Sequence, residues 1–234
     1  MTDFEETMEP VRQPRRQARS RTRMPPQMRR EMILEAAVAH FADHGFEVQI
    51  RQLAREIGIS PALVFKYFDG KEALIEAVYD AVFEARWDEA WARAITDRSR
   101  PLPERLLEFY LSYLAVVDDR NWIRIAMRAS LDGNGMTRRY LGDHVSKILG
   151  LIADEIDHWQ GSKAELLGHD RRVERVWHLH STVIYYLIRK HIHQTPVMSD
   201  REAFVEEVIA LFLERLDVPN PGRSEQEAAQ RSGR

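Results

Sequence analysis

The chain has 234 residues, 44% hydrophobic and 30% charged, material for one large domain or two modest ones and too evenly mixed for a disordered chain. It holds no cysteine, which excludes disulfide scaffolds, thiolate metal sites and cysteine nucleophiles and suits a reducing cytoplasm. The net charge of −3 is uneven: residues 1–10 carry four acids, residues 11–30 carry eight arginines and no acid, and residues 31–216 are acidic overall, so a polyanionic partner is expected for the basic segment alone.

No apolar run approaches the roughly 18 residues of a membrane span. The opening acids Asp3, Glu5, Glu6 and Glu9 are followed by no apolar stretch of the kind a secretory signal needs. A soluble, cytoplasmic protein with no membrane partner is expected.

Residues 1–26 combine Pro, Gln, Ser and Arg with almost nothing apolar and read as a disordered arm. A first helix is predicted from about Gln27 to His44, where Leu34, Ala37, Val38 and Phe41 form an i, i+3, i+4, i+7 stripe and Gly45 is placed to end it. Short segments follow through Phe68, then a long helix from about Lys71 to Thr96, punctuated by Pro101 and Pro103. Further helices are predicted at 103–117, 120–131, 137–160, 169–193 and 199–216, and the tail after Asp217 again reads as disordered. Sustained period-2 alternation is missing, so the fold class is all-α.

The most informative stretch is residues 50–68. Ile50, Leu53 and Ile57 make one apolar face of a short helix, with the small Ala54 where a second helix could approach. Gly58 can take the left-handed conformation of a tight turn. Ser60 is a good N-cap, Pro61 suits the first helical position, and Leu63 and Val64 supply the buried side of a second helix. Two short helices joined in this way make a helix-turn-helix, whose second helix enters the DNA major groove. Lys66, with Ser60, Pro61 and Ala62, is the expected base-reading set. Arg51 is a candidate for a phosphate or an adjacent base. The bland alternative is that these are solvated surface residues.

The ordered run Ile33-Leu34-Glu35-Ala36-Ala37, Phe41, Gly45-Phe46, Leu53-Ala54, Gly58-Ile59-Ser60, Leu63-Val64-Phe65, Tyr67-Phe68 and Lys71-Glu72-Ala73-Leu74 resembles the N-terminal domain of the tetracycline-repressor (TetR/AcrR) family over residues 30–75. The resemblance implies a helix-turn-helix domain at 27–75 and a helical ligand-binding and dimerisation domain at 76–216, flanked by the arm at 1–26 and the tail at 217–234. Val48 and Gln49 stand where members usually carry a threonine pair. Gln is a poor N-cap, and Gln49 is carried forward as a possible DNA contact. Phe65 stands where many members have a phosphate-binding tyrosine, which leaves the Tyr67 hydroxyl and Lys71 to reach phosphate. The arm, with Arg19, Arg21 and Arg23 at its centre, could enter the minor groove, add only non-specific phosphate attraction, or be silent.

In the C-terminal part, 169–193 carries a stripe of Val173, Val176, Trp177, His180, Ile184, Leu187, Ile188 and His191, and 199–216 one of Phe204, Val205, Val208, Ile209, Leu211, Phe212 and Leu216. These stripes suit either an ordinary intramolecular core or a homodimer through residues 169–216 as a four-helix bundle, and the dimer is expected because two recognition helices must meet half-sites about 34–36 Å apart. Trp87, Trp91, Tyr110, Tyr113, Trp122, Met127, Tyr140 and Trp177 are candidates to line an apolar effector pocket, with Asn121, Arg124 and Arg128 as polar handles. The segment 121–127 could shift against the long helix at 71–96 and pass ligand occupancy to the DNA-binding domain. The pairs His178/His180 and His191/His193 are spaced i, i+2 and point apart, so no metal is expected. Nucleotide, zinc-protease and nucleophile-elbow motifs are missing, so no catalytic residue, cofactor or enzymatic activity is expected. Asp118-Asp119 and Asp154-Glu155 read as solvated charge. The sequence points to a DNA-binding regulator, with a double-stranded operator and a small-molecule effector as partners, that is a repressor released by its ligand. The alternative is a helical small-molecule-binding protein or enzyme whose helix-turn-helix is non-functional.

Overall fold

Proline, glycine and short polar side chains set most of the helix ends. The computed structural model describes residues 24–161 and 169–217. The expectations for residues 1–23, Arg19, Arg21 and Arg23 among them, and for residues 218–234 lie outside the described residues.

Helix α1 (Pro26–His44) opens on a proline and ends at Gly45, whose N–H donates to the Phe41 carbonyl at 2.9 Å. Helices α2 (Ile50–Glu56), α3 (Pro61–Tyr67) and α4 (Gly70–Val82) follow. Next come a 3₁₀ turn at Glu84–Arg86, α5 (Ala90–Thr96), α6 (Leu102–Val117), α7 (Arg120–Leu131) and α8 (Met136–Tyr140). A π turn at Leu141–Val145 joins α8 to α9 (Ser146–Gln160), and another at Arg189–His193 extends α10 (His169–Ile188). Helix α11 (Arg201–Asp217) ends the described chain. Among the described residues there is no strand, and no helix is long and apolar enough to cross a membrane.

The long helix predicted over 71–96 is broken. It stops at Val82, turns through Glu84–Arg86, and restarts at Ala90, whose N–H is accepted by the Asp88 carboxylate at 2.8 Å. Packing explains the break. Phe83 is buried among Tyr79, Trp122 and Tyr140, with ring centroids 5.5, 5.7 and 4.9 Å away. Trp87 and Trp91 meet edge-on at 5.0 Å, and the extended backbone at Trp87 turns the chain between them.

Both π turns aim a histidine at a carboxylate of another element. His144 lies 2.9 Å from Glu84 and stacks on Trp87 at 4.7 Å. His191 lies 2.7 Å from Asp118, which also accepts from Lys190 at 2.6 Å. The first π turn lies within a continuous helical run from α8 to α9, and the second forms the last turn of α10, which stops at the left-handed Gln194.

Of the paired acids, Asp154 is exposed, as expected, but Asp118, Asp119 and Glu155 are not simply solvated charge. Asp119 caps α7 by accepting from the Trp122 N–H at 2.8 Å. Glu155 is 3% exposed, with Arg105 at 2.8 Å and Arg98 making two-pronged hydrogen bonds of 2.8 and 3.0 Å. The Arg98 guanidinium, with Arg105 behind it, holds the Glu155 carboxyl below the usual range. Adjacent acids do point apart on a helix, but here each finds its own cation or N–H.

Candidate nucleic-acid interface

The turn between α2 and α3 closes with three backbone features. Gly58 has φ +68°, and no atom stands within 4 Å of where its Cβ would be, so the demand for glycine is conformational rather than steric. The Ile59 N–H donates to the Ala54 carbonyl at 2.9 Å. Ser60 Oγ accepts from the Leu63 N–H at 3.2 Å and caps α3. Ala54, Leu53 and Val64 are buried at 0–1% exposure, joining Ile33, Ala37 and Phe41 of α1 in one core. Gln49 makes no side-chain cap on α2, as expected for glutamine.

Burying Val64 leaves Ala62, Phe65 and Lys66 exposed at i, i+3 and i+4 on one face of α3. Gln49, Arg51 and Ser60 are also exposed, whereas Pro61, Tyr67 and Lys71 are half-buried. Phe65 is 49% exposed, a large apolar side chain in the middle of the expected reading face. It is missing from the base-reading residues picked out in the sequence, although its exposure opposite Val64 follows from the helical period. An exposed aromatic there can pack on a thymine methyl, and Lys66 beside it can donate to guanine O6 or N7.

The helix-turn-helix is attached to the body at the end of α1. Arg120, Arg124 and Arg128 form an i, i+4, i+8 row on α7. Arg124 Nε donates to the Ala42 carbonyl at 3.0 Å and Arg128 to the Asp43 carbonyl at 3.2 Å, while Arg120 pairs with the Asp43 carboxylate at 2.8 Å. These cations satisfy carbonyls at the negative end of α1, and Arg120 foremost holds the Asp43 carboxyl below its usual range. Asp132, just beyond α7, accepts from the Phe46 N–H at 2.8 Å. Arg139 of α8 lies over the Tyr79 ring at 3.4 Å and pairs with Glu76 at 2.7 Å, which fastens α4. Arg124 and Arg128, expected as handles of an effector pocket, thus serve the junction, because unpaired carbonyls at a helix end attract them more than an aromatic core does.

Of the effector candidates, Trp87, Trp91, Tyr113, Trp122 and Tyr140 are brought together. Trp91 and Tyr113 lie 5.6 Å apart, Trp87 and Tyr140 6.0 Å, and Trp122 and Tyr140 5.8 Å. Tyr110 joins through Phe109 at 4.8 Å, and the half-buried Trp177 through His180 at 5.5 Å. Met127 sits apart, at 36% exposure. The Tyr110 hydroxyl and His180 Nδ1 are buried with no hydrogen-bond partner among the described residues, and burial pushes the His180 imidazole down to about 4. Two clefts open elsewhere, about 490 Å³ beside Lys71, Glu76, Asp132 and Arg139, and about 450 Å³ beside Asp118, Lys190 and Arg201. None of the eight candidates lines either one.

Residues 33–78 match the bacterial regulatory proteins of the tetR family. Over 55 residues the chain is 46% identical to the HTH-type transcriptional regulator BetI of Brucella anthropi, an alignment covering 23% of this chain and 28% of that protein. The chain thus spans little more than a quarter of the length of the curated relatives it matches. The fold as a whole is similar to a TetR family transcriptional regulator from Pseudomonas syringae (TM-score 0.57, 18% identity, 81% of this chain and 97% of that one). It is also similar to the ketosteroid transcriptional regulator KstR2 of Mycobacterium tuberculosis (TM-score 0.57, 18% identity, 80% and 93%). The match to the tetR family of bacterial regulatory proteins thus lies in residues 33–78, and the likeness beyond them is one of fold.

Proposed function

We propose that the protein is a dimeric transcriptional repressor that binds a palindromic operator through residues 49–71 and lets go when a small molecule enters the helical body. The observation that carries this reading is the exposed face of α3. Its Ser60-capped start and buried Val64 leave Ala62, Phe65 and Lys66 presented together on a short, rigid helix. Lys66 and the α3 N-terminus read bases. Arg51, Tyr67 and Lys71 hold phosphates, and the arm with Arg19, Arg21 and Arg23 adds counterion release or a minor-groove contact. Domain limits at 27–75 and 76–216 follow, with the junction between α1 and α7 crossing between them.

The dimer forms through residues 169–216. Leu211 is 59% and Tyr185 55% exposed there, and Trp177, Ile184, Val208 and Phe212 are only half-buried, leaving apolar surface for a partner copy. The effector is an apolar molecule with at least one hydrogen-bonding group. It settles among Trp87, Trp91, Tyr113 and Tyr140 and satisfies the Tyr110 hydroxyl or His180 Nδ1. Its binding moves α7, and the arginine row carries that movement to α1. The effect on operator affinity equals the ligand's differential affinity for the two states.

Selection of bound sequences from a random duplex library, with the full chain and with residues 1–26 removed, tests this function. A palindromic consensus is the expected result, with weaker binding and a flatter salt dependence for the shortened chain. No enrichment with either protein overturns it.

A further inference from the structure

His40 and His44 stand one turn apart on α1, and Glu56 ends α2 beside them. His40 Nδ1 is 2.6 Å from Glu56 Oε2, and the two imidazole centroids are 4.7 Å apart. One ligand atom from each of the three residues lies within 4.8 Å of the other two. His44 Nδ1 meets the His40 carbonyl at 3.2 Å, so this nitrogen carries the proton and Nε2 keeps a free lone pair. Two histidines at i, i+4 share one helix face, and the neighbouring helix adds a carboxylate. We propose that His40, His44 and Glu56 form a Zn²⁺ site that clamps α1 to α2.

The donor set fits the ion. With no cysteine in the chain, only nitrogen and oxygen donors are on offer, and two imidazoles with one carboxylate and a water make a tetrahedral zinc sphere. To admit the ion, His40 Nδ1 and Glu56 Oε2 must part from 2.6 Å to about 3.3 Å, the ligand separation set by zinc bonds near 2.0–2.1 Å. Glu56 is exposed and can rotate, whereas the His40 side chain is 1% exposed and anchors the site. Entry is open on the side of His44 and Glu56. Coordination through Nδ1 moves the His40 ring proton to Nε2, which is buried with no partner among the described residues. An acceptor for that proton normally strengthens a zinc site, so this one loads reversibly. Helix α2 has no side-chain cap at Gln49, and a tether at its last residue fixes the element on which α3 leans.

The test is thermal unfolding and Zn²⁺ titration of the full chain after chelator treatment and dialysis. One Zn²⁺ per chain is expected, with a rise in melting temperature. His44→Ala and Glu56→Gln should each weaken binding by at least the roughly tenfold that loss of an outer-sphere partner costs. Both alter exposed residues, and Gln at 56 can still accept from His40, so the metal-free fold is retained. A His178→Ala/His193→Ala variant, which removes two exposed histidines elsewhere, should bind Zn²⁺ like the unaltered chain. Unchanged affinity in His44→Ala and Glu56→Gln, loss in the control, or no binding at all would each overturn the site.

Discussion

Replacing Gly45 with alanine should be the most damaging single-methyl change in the helix-turn-helix. Gly45 has φ +80° and ψ −174°, a region that is essentially glycine-only and strains other residues by about 1–3 kcal/mol. A Cβ there would stand 2.6 Å from Asp132 Oδ2, the same carboxylate oxygen that accepts from the Phe46 N–H at 2.8 Å. Moving Asp132 aside forfeits a hydrogen bond to a charged acceptor, about 1.5–3 kcal/mol. Together the two effects give about 2.5–6 kcal/mol, a large share of the 5–15 kcal/mol that holds a typical domain folded. Gly58 is the internal control. Its φ is +68° with nothing within 4 Å, so alanine there carries only the left-handed strain, about 1–2 kcal/mol. Urea unfolding of the full chain measures both. In an Asp132→Ala background the cost of Gly45→Ala should shrink toward the backbone strain alone. Equal losses at positions 45 and 58, or strict additivity of Gly45→Ala with Asp132→Ala, would refute the argument.

Glu155→Gln leaves the Arg105 guanidinium buried without its counter-ion and should cost about 3–5 kcal/mol. Arg98→Ala removes a half-exposed partner and should cost far less, so equal losses in unfolding would count against the buried pair. The His180 imidazole is pushed from 6.5 to about 4 by burial. The unfolded chain therefore takes up a proton below about pH 6.5 that the folded chain refuses until about pH 4. Stability should fall across that window, by about 3 kcal/mol in all, and His180→Phe should flatten the pH dependence of unfolding between pH 6.5 and 4.5; an unchanged slope would contradict this. On DNA, Lys66→Ala should remove about 1–3 kcal/mol of discrimination at one base pair, read as relaxed preference in competition binding. Phe65→Ala should weaken binding without changing the salt slope, because no charge is lost.

The helix-turn-helix was legible because its determinants are local: Gly58 for the turn, Ser60-Pro61 for the helix start, and Val64 for the buried side lie within seven residues. The break after Val82 was not, because Glu84-Ala85-Arg86 is good helix-forming sequence and the chain is turned by where Phe83 and Trp87 pack. Only Asp88, a start signal for α5, announced it. The row Arg120, Arg124 and Arg128 is visible on a helical wheel, but its partners are carbonyls near residue 43, beyond any local pattern. The same distance hid the burial of Glu155, whose cations lie at 98 and 105. His40 and His44 have metal-binding spacing, but the third donor sits on a different helix. The candidates Trp87, Trp91, Tyr113, Trp122 and Tyr140 do fall together, but Phe83 and Tyr79, which pack with them, are not among the candidates, and helical phase places Met127 at the surface.

The central claim is that α3 reads DNA sequence, and one comparison tests it most directly. The full chain is titrated against its selected palindrome and against a scrambled duplex of equal length at about 0.15 M salt. A sequence reader binds the palindrome at least roughly a thousandfold more tightly, and Lys66→Ala narrows that ratio while leaving affinity for the scrambled duplex nearly unchanged. Equal affinity for both duplexes would contradict the account.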